Sequence, residues 1–347
     1  MVDFIVVGQG LAGSVLALQL LARQKRVVVF DTPHTNVASN VASGLYNPIA
    51  GKDLRVVWQA ETVFERVHVF YQQAQAVLNA KFFHPTPIFR PFLFEQERQA
   101  WLNANNHPFV ARVVGADYHR EHMVHPLGGL LLKRSGWVDV PLFLSAVRRH
   151  LQKRGVYRNM QFVCEGLEVE ETAFHYDDLQ ATHVVFCQGP QAVESRFFPA
   201  LPFRLVRGET VSVRVENPLR VVYNRRVFVL PKPGGEAVVG STYEVCHNLS
   251  AVRPTPMGLH TLQERLERTF RLRYTFCDQR AGIRPATLDR KPLLGRHPQH
   301  PRMGVLNGLG SKGVSLAPYL AEMLIAHLLE GAPIPAEVGL SGRWRWQ

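Results

Sequence analysis

Cysteine is scarce in this sequence, and no pattern of cysteines indicates a zinc site or a disulfide framework. The 347 residues include four cysteines, which stand singly at Cys164, Cys187, Cys246 and Cys277. Small disulfide scaffolds and zinc modules need closely and repeatedly spaced cysteines. Their absence excludes both classes, and isolated cysteines are typical of a protein in a reducing cytoplasm, where we expect this one to be located.

Long hydrophobic runs are also missing. The most apolar helical stretch, Leu11 to Ala22, contains Gln19 and is much shorter than the roughly 20 residues that cross a bilayer. The apolar start of the chain carries Asp3 and lacks the basic segment of a secretory signal. We therefore expect neither a targeting segment nor a membrane span.

Negative charge is in deficit. Lysine and arginine number 40 against 28 aspartates and glutamates, which gives a formal net charge of +12. Such an excess attracts phosphates, carboxylates, acidic membrane surfaces or nucleic acid. The arginines are spread along the chain, so a generally basic surface without a dedicated partner is an equally simple interpretation.

The first thirty residues have the pattern of a strand, a glycine-rich turn, a helix and a second strand. Residues 3–7 and 27–30 are short apolar runs typical of buried parallel strands. Between them lies Gly-x-Gly-x-x-Gly followed by an apolar helical stretch, and Asp31 ends the second strand. This context makes the pattern a dinucleotide-binding fingerprint.

Each part of this fingerprint has a physical task. Gly8 permits the tight turn, Gly10 lets a pyrophosphate approach the backbone, and Gly13 lets helix and strand pack closely. The helix N-terminus offers free N–H groups to the phosphates, and Asp31 can accept hydrogen bonds from a ribose while repelling the 2′-phosphate of NADP. The predicted cofactor-binding residues here are Gly8, Gly10, Leu11, Ala12, Gly13 and Asp31. The fingerprint alone leaves both NAD and FAD open.

Hydrophobic periodicity predicts further helices, and one region has a β-like pattern. The predicted helices cover residues 56–79, 140–154, 257–271 and 316–329. Residues 201–244 contain alternating or β-branched runs separated by Pro and Gly turns. We therefore predict an α/β fold in which a doubly wound, Rossmann-type domain is interleaved with a domain built on an antiparallel β-sheet.

Several motifs occur along the chain in the order typical of one flavoenzyme family. They are NVASNVASGLYNPIAG (36–51), SGWVDVPLF (135–143), FCQGP (186–190), RGETV (207–211), VVGSTYE (238–244), GIRPATLDRKPLLG (282–295) and NGLGSKG (307–313). With these motifs the chain resembles the superfamily of D-amino acid oxidase, glycine oxidase and sarcosine oxidase over nearly its whole length. The resemblance implies FAD as the cofactor.

The resemblance also implies which further residues contact FAD. These are Ser39, Ser43, Gly44, Gly189, Gly308, Gly310, Ser311, Lys312 and Gly313. Sarcosine oxidases attach the flavin through a cysteine, and the nearest equivalent position here is Gly282, so we expect non-covalent binding. Residues 1–80, 137–200 and 280–347 are expected to form the FAD-binding domain, and residues 81–136 and 201–279 the substrate domain.

The same resemblance predicts the substrate site. In these amino acid oxidases the arginine of the GxRPxTxD motif, which maps onto Arg284, binds the substrate carboxylate, and a guanidinium suits that task because it pairs bidentately with a carboxylate. Tyr243 and Tyr46 are candidates to line the site. Phe228 stands where glycine oxidase has a tyrosine, which removes a polar contact and leaves the substrate open.

The expected reaction is oxidation of the C–N bond of an amino acid or an N-alkyl glycine, by hydride transfer to flavin with oxygen as acceptor. One alternative comes from GLYNPIAGKDLRVVWQAETVFERVHVFY (44–71), which resembles the FAD domain of the tRNA-modifying MnmC enzymes. They oxidise a carboxymethylaminomethyl group on the wobble uridine of tRNA. A second alternative is a dehydrogenase or non-catalytic flavoprotein that uses a protein partner. The oligomeric state is left open.

Two weaker patterns are interpreted as having no function. GSKG near residue 311 does not meet the GxxxxGK[ST] pattern of a phosphate-binding loop. His119, His122 and His125 have three-residue spacing but lie in a segment without a carboxylate-rich partner. We expect a polar loop there and no metal.

Overall fold

The computed structural model describes residues 1–32, 38–50, 54–103, 110–123, 125–217, 219–250 and 252–344. The α-helices in these ranges are α1 (Leu11–Ala22), α2 (Ala38–Val41), α3 (Ala60–Leu78), α4 (Glu95–Asn103), α5 (Val140–Lys153), α6 (Pro256–Glu267) and α7 (Gly313–Glu330). The helices predicted from periodicity are confirmed as α3, α5, α6 and α7, with ends that differ by a few residues.

Two large sheets and two small ones hold the strands together. Numbered along the chain, the strands are β1 (Val2–Val7), β2 (Val27–Phe30), β3 (Leu45–Tyr46), β4 (Ile49–Ala50), β5 (Arg55–Val56), β6 (Phe83–Pro85), β7 (Ile88–Pro91), β8 (Ala111–Val114), β9 (Gly129–Leu132), β10 (Gly136–Val138), β11 (Tyr157–Arg158), β12 (Glu168–Val169), β13 (Phe174–Tyr176), β14 (Leu179–Phe186), β15 (Phe203–Val215), β16 (Val222–Arg225), β17 (Val227–Pro231), β18 (Glu236–Gly240), β19 (Glu244–Val245), β20 (Tyr274–Thr287), β21 (Leu293–Arg296) and β22 (Met303–Asn307).

The first large sheet has parallel strands at its centre. Its order is β11-β2-β1-β14-β13-β12, with β22 alongside β14 and β21 alongside β22. The pairs β11–β2, β2–β1, β1–β14 and β14–β22 are parallel. Residues 4–7 of β1 are buried, as expected for a strand covered on both faces. Helix α1 is apolar and buried over most of its length, because it lies between this sheet and the other helices.

The second large sheet is mostly antiparallel. Its order is β19-β15-β18-β17-β16-β7-β9-β8, and β20 pairs with the other edge of β15. Helix α6 packs on one face in a cluster with Val211, Val229 and Leu262. The opposite face contributes Leu230 to a cluster that also contains Trp137. The two sheets with their helices confirm the predicted α/β fold class.

The predicted division into an FAD-binding and a substrate domain stays a prediction. The first large sheet draws its strands from residues 2–186 and 293–307, and the second from residues 88–132 and 203–287. Strand β20 crosses the predicted boundary at 279/280. One continuous strand thus belongs to the second sheet and leads towards the first.

Local sequence signals explain where helices begin. The Asp139 carboxylate accepts a hydrogen bond from the backbone N–H of Leu142 at 3.1 Å, and this caps α5.

Helix α7 carries an internal proline, Pro318, whose missing N–H leaves the carbonyl of Val314 without its helical donor. The Tyr71 hydroxyl of α3 donates to that carbonyl at 3.2 Å. A long-range contact therefore makes the internal proline tolerable.

The first turn explains the glycine spacing. Gly8 has φ +97°, and a Cβ at Gly13 would lie 1.8 Å from the carbonyl oxygen of Gly8. A Cβ at Gly10 would meet nothing closer than the Ser39 hydroxyl at 3.6 Å. Gly13 is thus required for α1 to pack on the turn, while the space beside Gly10 is open.

Among the described residues, no helix combines the length and apolar character that crossing a bilayer requires.

We predict that Gly13→Ala destabilises the fold and Gly10→Ala does not. The methyl group at position 13 forces the helix and turn apart, and overpacking of this kind costs about 1–3 kcal/mol. Denaturant unfolding of both variants measures the difference, with Gly10→Ala as the matched control. Equal stabilities of the two variants would contradict this account of the turn.

Candidate functional site

The acidic end of the predicted nucleotide site is built by residues from distant parts of the chain. Asp31 follows β2, and its Oδ1 accepts a hydrogen bond from the backbone N–H of Gln9 at 2.9 Å. Arg148 of α5 lies 3.6 Å from Asp31 Oδ2 and donates to the Gln9 side chain at 3.0 Å. The carboxylate is held at the carboxyl end of a parallel strand, where ribose binds in folds of this type.

Sequence reasoning missed Gln9 and Arg148. Gln9 is a variable position of the glycine fingerprint, yet it is 1% exposed. Its side chain donates to Ser14 Oγ at 2.9 Å and to the carbonyl of Leu144 at 3.0 Å. The one sequence signal for Gln9 is that a polar residue stands in a glycine-rich turn. No local pattern in the sequence connects Gln9 to α5.

Two helix N-termini meet beside this turn. Gly313 begins α7, and a Cβ there would lie 2.8 Å from the Cδ2 of Leu11, the first residue of α1. Neither Gly10 nor Lys312 caps its helix with a side-chain hydrogen bond, but the Ser39 hydroxyl accepts from the N–H of Leu11 at 3.3 Å. Adjacent positive helix ends form an anion site, and these residues fit the pyrophosphate of a dinucleotide such as FAD.

The remaining predicted cofactor residues lie in loops that are tied to one another. Gly189 has φ +57°, and its carbonyl accepts from Asn307 Nδ2 at 2.9 Å. Gly310 donates its N–H to the carbonyl of Pro285 at 3.2 Å. The loops after β14 and β22 and the end of β20 thus form one connected surface, which a conjugated ring system can approach where the glycines lack side chains.

Ser43 and Gly44 lie on another loop. Ser43 is half-buried, and the carbonyl of Gly44 accepts from the N–H of Val138 at 3.0 Å, which ties the loop to β10. The motif's residues 36, 37 and 51 lie outside the described part of the chain. In the final motif, Gly308 is buried, whereas Ser311 and Lys312 are exposed.

Arg284 lies on β20 with its guanidinium over Gly208 of β15. A Cβ at Gly208 would come within 2.1 Å of its Nη1 atom, so the glycine makes room for the side chain. Nη1 donates to the carbonyl of Thr242 at 3.2 Å, and the guanidinium carbon is 4.6 Å from the centre of the Tyr243 ring. Within the described ranges no carboxylate lies within 4.0 Å of Arg284. Burial lowers the pKa of Arg284.

Phe228 and Arg284 lie on the same face of the second sheet. A Cβ at Gly240 would meet both the Phe228 ring, at 2.6 Å, and Thr210 Cγ2, at 2.9 Å. Thr210 and Gly208 are two residues apart on β15, so their side-chain positions share a face. Phe228 is half-buried, and its ring lies over Gly240.

The two tyrosines have different positions. Tyr243 is 66% exposed, with its ring against Arg284. Tyr46 is fully buried, stacks on Phe83 with ring centres 5.4 Å apart, and belongs to the core cluster that contains α1, α3 and α7. Burial raises the pKa of Tyr46. The structure therefore brings Tyr243 and Arg284 together, while Tyr46 has its described ring contacts in the core.

Comparison with known proteins is consistent with these features. The chain is 27% identical to the tRNA 5-methylaminomethyl-2-thiouridine biosynthesis bifunctional protein MnmC of Marinobacter nauticus over 92% of its own length and 54% of the relative's. It is 26% identical to the bifunctional protein ThiO/ThiG of Synechocystis sp. over 94% of this chain and 52% of the relative. It thus spans about half the length of these relatives.

A solved structure with the same fold is glycine oxidase from Geobacillus kaustophilus. It superposes with a TM-score of 0.80 at 19% identity and covers 99% of this chain and 98% of the other. The family model DAO, FAD dependent oxidoreductase, matches residues 3–327, which confirms the family, the FAD cofactor and the enzyme class expected from the motifs. The chain therefore belongs to the DAO family of FAD-dependent oxidoreductases.

Proposed function

We propose that the protein oxidises the C–N bond of an amino acid or an N-alkyl glycine-type amine, with oxygen as the electron acceptor and Arg284 as the carboxylate-binding residue. The observation that carries the proposal is the position of the Arg284 guanidinium. It lies on the face of the second sheet opposite α6, and no carboxylate lies within 4.0 Å of it among the described residues. A substrate carboxylate is the natural partner for that charge.

A substrate carboxylate would compensate the charge of the Arg284 guanidinium. Burial disfavours a charged guanidinium and lowers the pKa of Arg284. The carbonyl of Thr242 and the ring of Tyr243 stabilise the cation only in part. A bidentate carboxylate restores the solvation that burial removed, and charge-assisted hydrogen bonds of this kind contribute about 1.5–3 kcal/mol.

The connection between Arg284 and the cofactor region supports the same role. Pro285 directly follows Arg284, and its carbonyl accepts from Gly310 in the GLGSKG loop at 3.2 Å. Gly8, Gly10, Gly13 and Asp31 would hold the adenosine and pyrophosphate part of FAD. FAD would supply the flavin that accepts a hydride from the substrate's α-carbon. Arg284 would orient the substrate by binding the substrate's carboxylate. The backbone hydrogen bond between Gly310 and Pro285 would keep Arg284 at a fixed distance from the GLGSKG loop.

A tRNA substrate is the alternative, and two observations favour it. MnmC of Marinobacter nauticus is similar over 92% of this chain, and the net charge of +12 suits a polyanion. A carboxymethylaminomethyl group on a wobble uridine also ends in a carboxylate. Arg284 would therefore have the same partner in both reactions, and the difference would lie in what surrounds the amine.

We predict that Arg284→Ala raises KM for a carboxylate-bearing amine by about 10- to 150-fold, which corresponds to the loss of about 1.5–3 kcal/mol of charged hydrogen bonding. Arg284→Lys restores part of the affinity because it keeps the charge but loses the planar fork. Steady-state kinetics on both variants test this, together with their visible flavin spectra to verify FAD content. An unchanged KM in Arg284→Ala with full FAD content would reject the assigned role.

We predict a similar but smaller effect for Gly208→Ala. Its methyl group would lie 2.1 Å from Arg284 Nη1, so the flexible guanidinium must move while the strand pairing stays intact. KM for the amine should rise, and the thermal unfolding midpoint should change little. Gly166→Ala is the matched control, since its Cβ would make an ordinary 3.4 Å contact with Tyr176. If Gly208→Ala leaves KM as it is in the control, Arg284 does not act from this position.

Anaerobic flavin bleaching separates the two substrate classes. We expect glycine, sarcosine or a D-amino acid to reduce the bound flavin and bleach its visible absorption, and undermodified tRNA carrying the carboxymethylaminomethyl group to leave it oxidised. Bleaching by the tRNA alone, with a rate that falls steeply as salt rises, would establish the alternative. Bleached enzyme that recovers its absorption on admission of air confirms oxygen as acceptor.

A further inference from the structure

A histidine–glutamate cluster lies on the loop between β8 and β9, away from the residues assigned to the flavin site. Atoms of His119, Glu121 and His122 that can bind a metal all lie within 4.8 Å of one another. Glu121 Oε1 is 3.2 Å from His119 Nδ1 and 3.4 Å from His122 Nε2. The sequence pattern predicts a polar loop without a carboxylate-rich partner and no metal, but the turn brings the single carboxylate of Glu121 between the two imidazoles.

We propose that these three side chains form a binding site for a divalent transition-metal ion, with zinc as the best match. Imidazole nitrogens and a carboxylate oxygen are common ligands of zinc, which takes four ligands about 2.0–2.2 Å away at tetrahedral corners. Ligand atoms around such an ion lie about 3.4 Å from one another, which agrees with the two separations from Glu121 Oε1. The fourth position would hold water.

A buried tyrosine, whose hydroxyl has no partner in the described part of the chain, packs against this cluster. Tyr223 is fully buried, and its hydroxyl has no hydrogen-bond partner among the described residues. Its ring centre lies 6.0 Å from the ring centres of both His119 and His122. A buried hydroxyl without a partner is costly. A metal-bound water, or a Glu121 carboxylate oriented by the metal, would give the phenol its partner, as outer-shell groups do around bound metals.

The accessibility of the cluster allows an ion to enter. The side chains of His119 and His122 are 19% and 12% exposed, whereas Glu121 is 58% exposed. The imidazoles are thus held in place by their neighbours, and the carboxylate closes the site from the solvent side. Because the ligands come from four consecutive residues, the ion requires no rearrangement between distant segments.

The ion would stiffen a loop that backbone contacts already attach to the α6 side of the second sheet. The carbonyl of His122 accepts from the N–H of Arg271 at 2.7 Å, and Met123 pairs with Phe270 just beyond α6. Tyr223, Met123 and Phe270 belong to the cluster on the α6 side of the sheet. Phe228 packs on the opposite face. The ion would therefore stabilise the protein without taking part in flavin reduction.

The test is zinc binding by the FAD-loaded protein. We expect equilibrium dialysis against Zn²⁺ followed by metal analysis to give one ion for each chain, together with a thermal unfolding midpoint that rises with zinc concentration. The rate of anaerobic flavin reduction should stay unchanged. His247→Ala, which removes an exposed histidine outside the cluster, is the control and should bind zinc as the wild type does.

Three variants make the test specific to these residues. Glu121→Gln removes a ligand at an exposed position, so folding is not at risk, and it should abolish both the bound zinc and the shift in unfolding midpoint. His122→Ala should do the same. Tyr223→Phe should weaken binding about tenfold as an outer-shell partner. A wild type that retains no zinc, or a Glu121→Gln variant that binds zinc as tightly as the wild type, would overturn the proposal.

Discussion

The structure depends on the contact between the first turns of α1 and α7. Leu11 and Gly313 touch there, so close that a Cβ on the glycine would come within 2.8 Å of the leucine. The contact places two positive helix ends side by side next to the glycine turn after β1. This arrangement favours an anionic ligand, because two adjacent helix N-termini repel each other and a phosphate between them would relieve that repulsion.

The second constraint is the continuity of β20. This strand pairs with β15 along thirteen residues of the second sheet and ends beside the GLGSKG loop of the first. Arg284 lies on this strand, and the carbonyl of the next residue, Pro285, accepts a hydrogen bond from the N–H of Gly310 in the GLGSKG loop. A displacement of the loop would therefore reach Arg284 through one backbone hydrogen bond and the peptide bond between Pro285 and Arg284. The proposed substrate site and the flavin site would be coupled by this connection.

Charge at the two sites is handled differently. Asp31 is accompanied by Arg148 and the N–H of Gln9, so its negative charge is stabilised before any ligand binds. Arg284 has only a carbonyl and an aromatic ring in the described surroundings. This difference suits the proposed roles, because a residue that would orient a permanent cofactor is best pre-organised by its neighbours, whereas one that would bind an exchanging substrate must keep hydrogen-bonding capacity for it.

The predictions from sequence were most accurate where the signal is local. The glycine spacing and Asp31 identified the β1–α1–β2 unit because the whole pattern lies within about thirty residues, and Gly13 meets the carbonyl of Gly8 five residues earlier. The periodic helices and the β-like region 201–244 were found for the same reason. The association of Gln9 with Arg148 and of Tyr71 with the carbonyl that Pro318 leaves unpaired could not be predicted. Those partners are separated by well over a hundred residues, and no local pattern encodes their approach.

The sequence by itself determined the chemistry that is available: a dinucleotide turn, an arginine motif expected to bind a carboxylate, and a net charge of +12. Only the tertiary structure decided how that chemistry is arranged. It put Tyr46 in the core and Tyr243 against Arg284, because burial depends on which strands pair and not on residue type. It also turned Glu121 between two histidines, since the direction of side chains in an irregular loop is set by the sheet and helix on which the loop rests.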